Sequence, residues 1–310
     1  MTSYIQITSS DTDDERELER PPLPPASTWT PLVEWSIEED LGHGDVSSQI
    51  SIPETQFGTA IIEAREELVV CGTEVAASVF TLLDPCLEVA VQIEEGEIAE
   101  PGDALLLIDG SLQSILAAER TALNFLMRMC GVASWTRRHL AEVVGTDAWL
   151  LDTRKTLPGW RALDKYATAV GGAHNHRVGL FDGILLKDNH VAAAKGVAAC
   201  VRAARSKAPA HLRIEIEVES EEDAVAATEA GADILLLDNM NPSEIRQIVE
   251  KLGQRVRLEA SGGIGLDNLR AFAETGVHQI SLGCLTHSAP AVDIALELSP
   301  DDDGATTNSD

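Results

Sequence analysis

At 310 residues, 44% hydrophobic and 24% charged, the chain has the length for one large domain or two ordinary ones and the composition of a globular protein with a real core. Its 51 acidic residues against 23 Lys and Arg leave a net charge of −28, which excludes non-specific binding to nucleic acid or to an anionic membrane surface. No apolar run approaches the roughly 18 residues that span a bilayer, and the N-terminus has neither the basic nor the apolar region of a secretory signal.

Residues 1–28 are acidic and then proline-rich (ERPPLPPAS), without a periodic apolar pattern, and are expected to be a disordered tail. Folded structure is expected from Thr30-Pro31, an N-cap followed by proline at the first helical position. An N-terminal α/β domain over 29–145 then reads as strands in GTAIIEAREELVVCG, a helix in TEVAASVFTLL, a strand in CLEVAVQI, and a turn and strand in EEGEIAEPGDALLLIDG. A long helix follows in SLQSILAAERTALNFLMRMCG, continuing to about Val144.

From 146 to 285 the pattern becomes regular. Six apolar runs, at 148–151, 183–186, 213–218, 233–237, 256–260 and 279–282, alternate with helical segments, which argues for a parallel sheet covered by helices. Each run ends in polar or glycine residues: DTRK, KDNH, ES, DNMN, SGG and GCLTHS. Active sites are built at that end of parallel strands. Six strands are too few for the usual eight-stranded barrel, so the fold class expected is α/β with an incomplete barrel. DDDGATTNSD, residues 301–310, reads as a second acidic disordered tail.

The two tails carry −4 each, so residues 29–300 still carry −20. Six Lys stand against seventeen Arg. Together these read as halophilic adaptation, because charge repulsion is screened within about 3 Å at 1 M salt. The plainer alternative is an acidic mesophilic protein. Cys71, Cys86, Cys130, Cys200 and Cys284 lack CxxC spacing and read as buried free thiols in a reducing cytoplasm.

Against this background the segment 152–187 is net positive. Arg154, Lys155, Arg161, Lys165, Arg177 and Lys187 face only Asp152, Asp164 and Asp182, with His174 and His176 among them. Guanidinium forks suit bidentate carboxylate or phosphate, and lysine adds a point charge. The segment therefore reads as an anion-substrate site; the alternative is a solvated loop with local ion pairs. His174 and His176 are too few for a zinc site, and Arg177 would repel a cation. Lys187 closes a strand, where it is either a Schiff-base nucleophile or a phosphate binder.

IEIEVES places Glu215, Glu217 and Glu219 on one strand face, directed inward in a barrel, with Asp238 ending the next strand. One or two such carboxylates together with substrate phosphates make a magnesium environment. The alternative for the glutamates is an exposed strand face. Ser261, Gly262 and Gly263, and then Gly283, end the last two strands, where glycine lets backbone N–H groups approach phosphate.

Taken in order, EEDLGHGDVSS, AERTALNFLMRMCGVAS, DTRKTLPGWR, GGAHNHRVGLFDGILLKDNH, IEIEVES, LLLDN, LEASGGI and ISLGCLTHSAPAVDIAL resemble the quinolinate phosphoribosyltransferase family over roughly residues 30–297. The resemblance implies an N-terminal α/β sandwich domain, an open six- to seven-stranded α/β barrel, and a C-terminal segment, 286–300, that returns to the first domain. It implies a homodimer or hexamer in which the N-terminal domain of one subunit covers the barrel mouth of another. The reaction implied joins quinolinate to phosphoribosyl pyrophosphate and gives nicotinate mononucleotide, pyrophosphate and CO2 in NAD synthesis.

By the same resemblance Arg154, His176, Arg177 and Lys187 hold quinolinate, with Arg120 supplied by the partner subunit. Lys155 contacts phosphoribosyl pyrophosphate, Glu217 and Asp238 hold Mg2+ and the ribose, and Ser261, Gly262, Gly263, Gly283 and His287 take the 5-phosphate. Lys155, Lys187, Glu217 and Asp238 form the catalytic set. Ala173 departs from the family's third glycine, and strain in the 171–177 turn is expected if that position needs positive φ. The rival readings are a phosphoribosyltransferase for another carboxylated heterocycle such as nicotinate, a Schiff-base lyase centred on Lys187, and a non-catalytic anion-binding regulator.

Overall fold

The computed structural model describes residues 21–300. Residues 1–20 of the tail expected over 1–28, and all of 301–310, lie outside the described residues; residues 21–28 depart from the expectation, with a short 3-10 turn at Ala26–Thr28, Leu23 packed against the N-terminal core and the Trp29 indole N–H donating to the Pro24 carbonyl at 3.0 Å. Helix α1 (Thr30–Leu41) carries Pro31 in its first turn, but its N-cap is Trp29 rather than Thr30, without a side-chain cap bond. Asp45 caps α2 (Val46–Ser51) by accepting the N–H groups of Ser47 and Ser48.

The N-terminal sheet contains β1 (Phe57–Ala64), β3 (Glu88–Val91) and β5 (Ala104–Ser111), all antiparallel to their neighbours. Alternation of buried and exposed residues in β1 turns Ala60, Ile62 and Ala64 inward. A two-stranded ribbon, β2 (Leu68–Val69) with β4 (Ile98–Ala99), lies beside it. Helices α3 (Thr73–Leu83) and α4 (Leu112–Ala141) bury their apolar faces in the same core. At 30 residues α4 is the spine of the molecule, and Ser111 caps its start through the Ser114 N–H.

The barrel then alternates strand and helix: β6 (Trp149–Leu151), α5 (Arg161–Val170), β7 (Ile184–Leu186), α6 (Asp188–Ala194), α7 (Val197–Arg205), β8 (Ile214–Val218), α8 (Glu221–Ala230), β9 (Ile234–Asp238), α9 (Pro242–Leu252), β10 (Arg257–Ser261), α10 (Leu269–Ala273), β11 (Gln279–Ser281) and α11 (Cys284–His287). All six expected strands are present, parallel, in the order β6-β11-β10-β9-β8-β7. The barrel is open because β6 and β7 do not pair. The helix joining them, α5, turns Leu163, Tyr166, Ala167 and Val170 into the core of the N-terminal domain instead of onto the sheet. Residue 174 supplies one rung of a seventh strand: its N–H donates to Leu150 O at 2.8 Å and its carbonyl accepts the Asp152 N–H at 3.0 Å.

After the barrel the chain goes back. Strand β12 (Ile294–Pro300) pairs antiparallel with β1, from Ala64 opposite Ile294 to Gly58 opposite Pro300. Among the described residues no helix is long and apolar enough to cross a membrane. Cys71, Cys130 and Cys200 are buried as expected, but Cys86 is exposed and Cys284 only half-buried.

Candidate active site

The C-terminal ends of the six strands form one mouth, and the parity of each strand decides which side chains reach it. On β8, Ile216 and Val218 face the covering helices, so Glu215 and Glu217 face the interior. The alternation Arg257, Glu259, Ser261 on β10 follows the same rule.

Two cations of the basic loop are tied to the protein's own groups. Lys165 is buried and donates to Asp152 Oδ1 at 2.5 Å and to the His176 carbonyl at 2.8 Å. Arg161 donates to Thr156 Oγ1, Val178 O and Arg154 O, stapling the loop around itself. These two of the six expected anion-binding cations are thus internal fasteners. His174 stacks on Trp149 with ring centroids 4.2 Å apart. Arg154, Lys155, Arg177 and Lys187 remain, and of these Arg177 donates from Nη1 to the Gly183 carbonyl at 3.1 Å. Burial, followed by the Arg154 guanidinium beside it, lowers the Arg177 pKa, and Arg154 Nε is buried without a hydrogen-bond partner.

His176 lies deeper. Its Nδ1 accepts the Arg177 N–H at 2.7 Å, and Nε2 lies 3.1 Å from Glu215 Oε2 and 3.6 Å from Glu259 Oε1. Burial works against the imidazolium, but the two glutamates outweigh it and raise the pKa. With both ring nitrogens engaged, His176 reaches a bound carboxylate only by exchanging a partner. Glu259, 1% exposed, is pushed up to about 8 by burial and by Glu215.

At the ends of β8 and β9, ligand oxygens of Glu217, Glu219 and Asp238 lie within 4.8 Å of one another. Lys187 Nζ donates to Glu217 Oε2 at 2.9 Å. Burial and then Glu217 raise the Asp238 pKa. Asn239, at φ 55°, follows it and donates to Asp238 Oδ2, a left-handed position asparagine tolerates.

A cavity of about 230 Å3 completes the mouth, and its walls include Lys155, Ser261, Gly262, Gly263, Gly283 and His287. Gly262 sits at φ +90°, and a Cβ there would meet Asn239 Oδ1 at 2.4 Å. A Cβ on Gly283 would meet Lys155 Cδ at 2.8 Å, so glycine is what lets this lysine cross the floor. Thr286 Oγ1 fixes the same lysine by donating to its carbonyl at 2.9 Å.

Arg120 is exposed on α4 and makes no ion pair among the described residues. Ala173 is buried without positive φ, so the strain expected there is absent; the positive φ falls on Gly172. Reading the sequence missed Glu259, although the parity that singled out Glu215 and Glu217 also places it inside. It also missed Arg128 on α4, which binds Asp164 through two nitrogens and donates to Thr286 O at 2.7 Å.

A parallel α/β barrel whose strand ends carry guanidiniums, a carboxylate triad and a glycine-lined cavity has the build of an enzyme site. Two family descriptions match the chain: quinolinate phosphoribosyl transferase, N-terminal domain, over residues 45–130, and its C-terminal domain over 132–297. The chain belongs to the quinolinate phosphoribosyltransferase family. It is 40% identical over 272 residues to the nicotinate-nucleotide pyrophosphorylase [carboxylating] of Mycobacterium leprae, spanning 85% of this chain and 94% of that one. It is 39% identical over 260 residues to a probable enzyme of the same name from Bacillus subtilis, spanning 84% and 90%. The crystal structure of NadC from Streptococcus pyogenes superimposes with a TM-score of 0.86 at 36% identity, covering 90% of this chain and 99% of that one.

Proposed function

We propose that the chain transfers the phosphoribosyl group of phosphoribosyl pyrophosphate to the ring nitrogen of quinolinate and releases CO2, giving nicotinate mononucleotide and pyrophosphate for NAD synthesis. The observation that carries this is Arg154 with Arg177: each guanidinium lies in the field of the other in a strongly acidic chain, and Arg154 Nε is a buried donor left unsatisfied. A dicarboxylate neutralises both and gives Arg154 Nε an acceptor.

In the reaction the ring nitrogen attacks the anomeric carbon as the bond to pyrophosphate breaks. The 2-carboxylate then leaves as CO2, its electron pair stays on the carbon beside the cationic nitrogen, and a proton replaces it. Arg154 and Arg177 orient the ring through its carboxylates, with Lys187 beside them. Lys155, Ser261, Gly262, Gly263, Gly283 and His287 seat the phosphates. Glu217 and Asp238, with Glu219, offer the hard oxygen donors that suit Mg2+, and these three residues would hold it. When bound, Mg2+ neutralises charge on the pyrophosphate. Lys187 is held in an ion pair with Glu217, which occupies the amine that Schiff-base chemistry would need.

Exposed Leu180 (74%) and Phe181 (79%) beside the basic loop support a second subunit covering the mouth and bringing its own Arg120. The acidity of the chain supports a high-salt setting. The test is mass spectrometry of products formed in molar KCl with Mg2+, phosphoribosyl pyrophosphate, and either quinolinate or nicotinate. Nicotinate mononucleotide from quinolinate alone is expected. Product from nicotinate alone would transfer the activity to the monocarboxylate, and no product from a folded protein would sink the reaction.

A further inference from the structure

The end of the barrel opposite the active mouth carries a second concentration of positive charge. Arg213 directly precedes β8, and Arg257 opens β10. Each stands two residues before an inward glutamate, Glu215 and Glu259, so both arginines share the inward strand face nearer the N-terminal mouth. A cavity of about 350 Å3 opens there, and its walls include Arg255, Arg257, His278 and Asp233.

The carboxylate on this wall is already in use. Asp233 Oδ2 accepts from Arg205 Nη2 and from the Ile214 N–H, both at 2.6 Å. Arg213, Arg255 and Arg257 make no ion pair among the described residues. Arg257 is half-buried, and its pKa is lowered by that burial and by Arg213, with no carboxylate acting in the opposite direction. Acids outnumber bases by 51 to 23 in this chain, so guanidiniums left facing one another are a departure from its general rule. Among the described residues, a guanidinium destabilised by burial and by a neighbouring guanidinium occurs at Arg177 and at Arg257. The first pair faces the proposed carboxylate substrate. The second lies at the barrel end that ordinarily serves stability rather than ligand binding.

We propose that the N-terminal mouth of the barrel is a second anion site, in which Arg255 and Arg257 on the cavity wall bind a small multivalent oxyanion of the phosphate or dicarboxylate class and Arg213 adds its charge beside them. Planar guanidinium forks from the start of β10 and from the loop before it present bidentate donors to such an ion. Binding there relieves the repulsion between Arg213 and Arg257. The site and the binding isotherm that tests it do not depend on the reaction at the other mouth.

The experiment is isothermal titration of the full chain with tripolyphosphate and, separately, with succinate, at about 0.15 M ionic strength. Wild type, R255Q, R255Q/R257Q and the active-mouth variant K155A are compared, with folding checked by circular dichroism and, for the arginine variants, also by turnover. Wild type is expected to bind one of these anions at a site that K155A retains. R255Q should weaken that site about tenfold, the loss of one charge-assisted contact, and R255Q/R257Q should abolish it with turnover unchanged. Tighter tripolyphosphate assigns the phosphate class, and tighter succinate the carboxylate class. An isotherm unaltered in folded R255Q/R257Q, or no binding of either anion outside the site that K155A removes, would overturn the proposal. If R255Q/R257Q does not fold, R255Q with wild-type affinity overturns it equally.

Discussion

Asp152 and Lys165 meet at 2.5 Å with both side chains shielded from water, and the same Asp152 oxygen accepts the His176 N–H at 2.8 Å. The pair therefore pins the segment bearing His176 and Arg177 to the end of β6. Removing one partner leaves a buried charge uncompensated, which costs roughly 3–5 kcal/mol. D152N and K165M are each expected to lose stability on that scale in urea denaturation, and the double variant D152N/K165M less than the sum of the two. Strict additivity would show that the pair does not act as a unit.

Glu259 provides the pH signature. Its pKa in the folded chain, about 8, lies above the ordinary 4.5, so the native state holds a proton there that the unfolded chain releases. The contribution is fully present below about pH 4.5 and is lost as pH rises through about 8, at up to about 1.4 kcal/mol per unit. E259Q keeps the neutral form at every pH. Stability measured from pH 6 to 9 should fall less steeply in E259Q than in wild type, and parallel curves would reject the protonated Glu259.

Arg128 connects three elements: α4 by its backbone, α5 through Asp164, and α11 through the Thr286 carbonyl. Thr286 in turn holds Lys155. R128M should raise KM for phosphoribosyl pyrophosphate about tenfold, one charge-assisted contact's worth, with KM for quinolinate little changed. Equal rises in both constants would mean general loosening of the mouth instead.

Asp238 should make metal use pH-dependent. Burial and Glu217 raise its pKa, so protons compete with a divalent cation as the medium is acidified. The Mg2+ concentration for half-maximal turnover is expected to climb between pH 7 and 5. D238N should need more Mg2+ throughout and lose most of that slope; a wild-type requirement in D238N would remove Asp238 from the metal set.

The barrel was legible because each strand is a short apolar run ended by glycine or polar residues, and because charge stands out where the background is acidic. The residues that gather around the mouth, Lys155, Glu217, Asp238 and the glycines, are local to those strand ends. Arg161 and Lys165 misled for the same reason: composition counts a cation without showing its partner, and Lys165 finds Asp152 only when α5 folds back. Arg128 meets Thr286 across 158 positions, a pairing no local pattern announces. Thr30 was passed over as a cap because the chain enters α1 one residue earlier, at Trp29.

The return of β12 to β1 has a consequence for biosynthesis. Most of the N-terminal sheet leaves the ribosome before the barrel, yet its outer strand follows the barrel in the chain. Until residues 294–300 arrive, one edge of β1 is a bare row of backbone donors and acceptors, open to pairing with another nascent chain. The barrel must therefore be synthesised while its predecessor waits incomplete, and a ribosome that stalls within it releases a product with an adhesive edge.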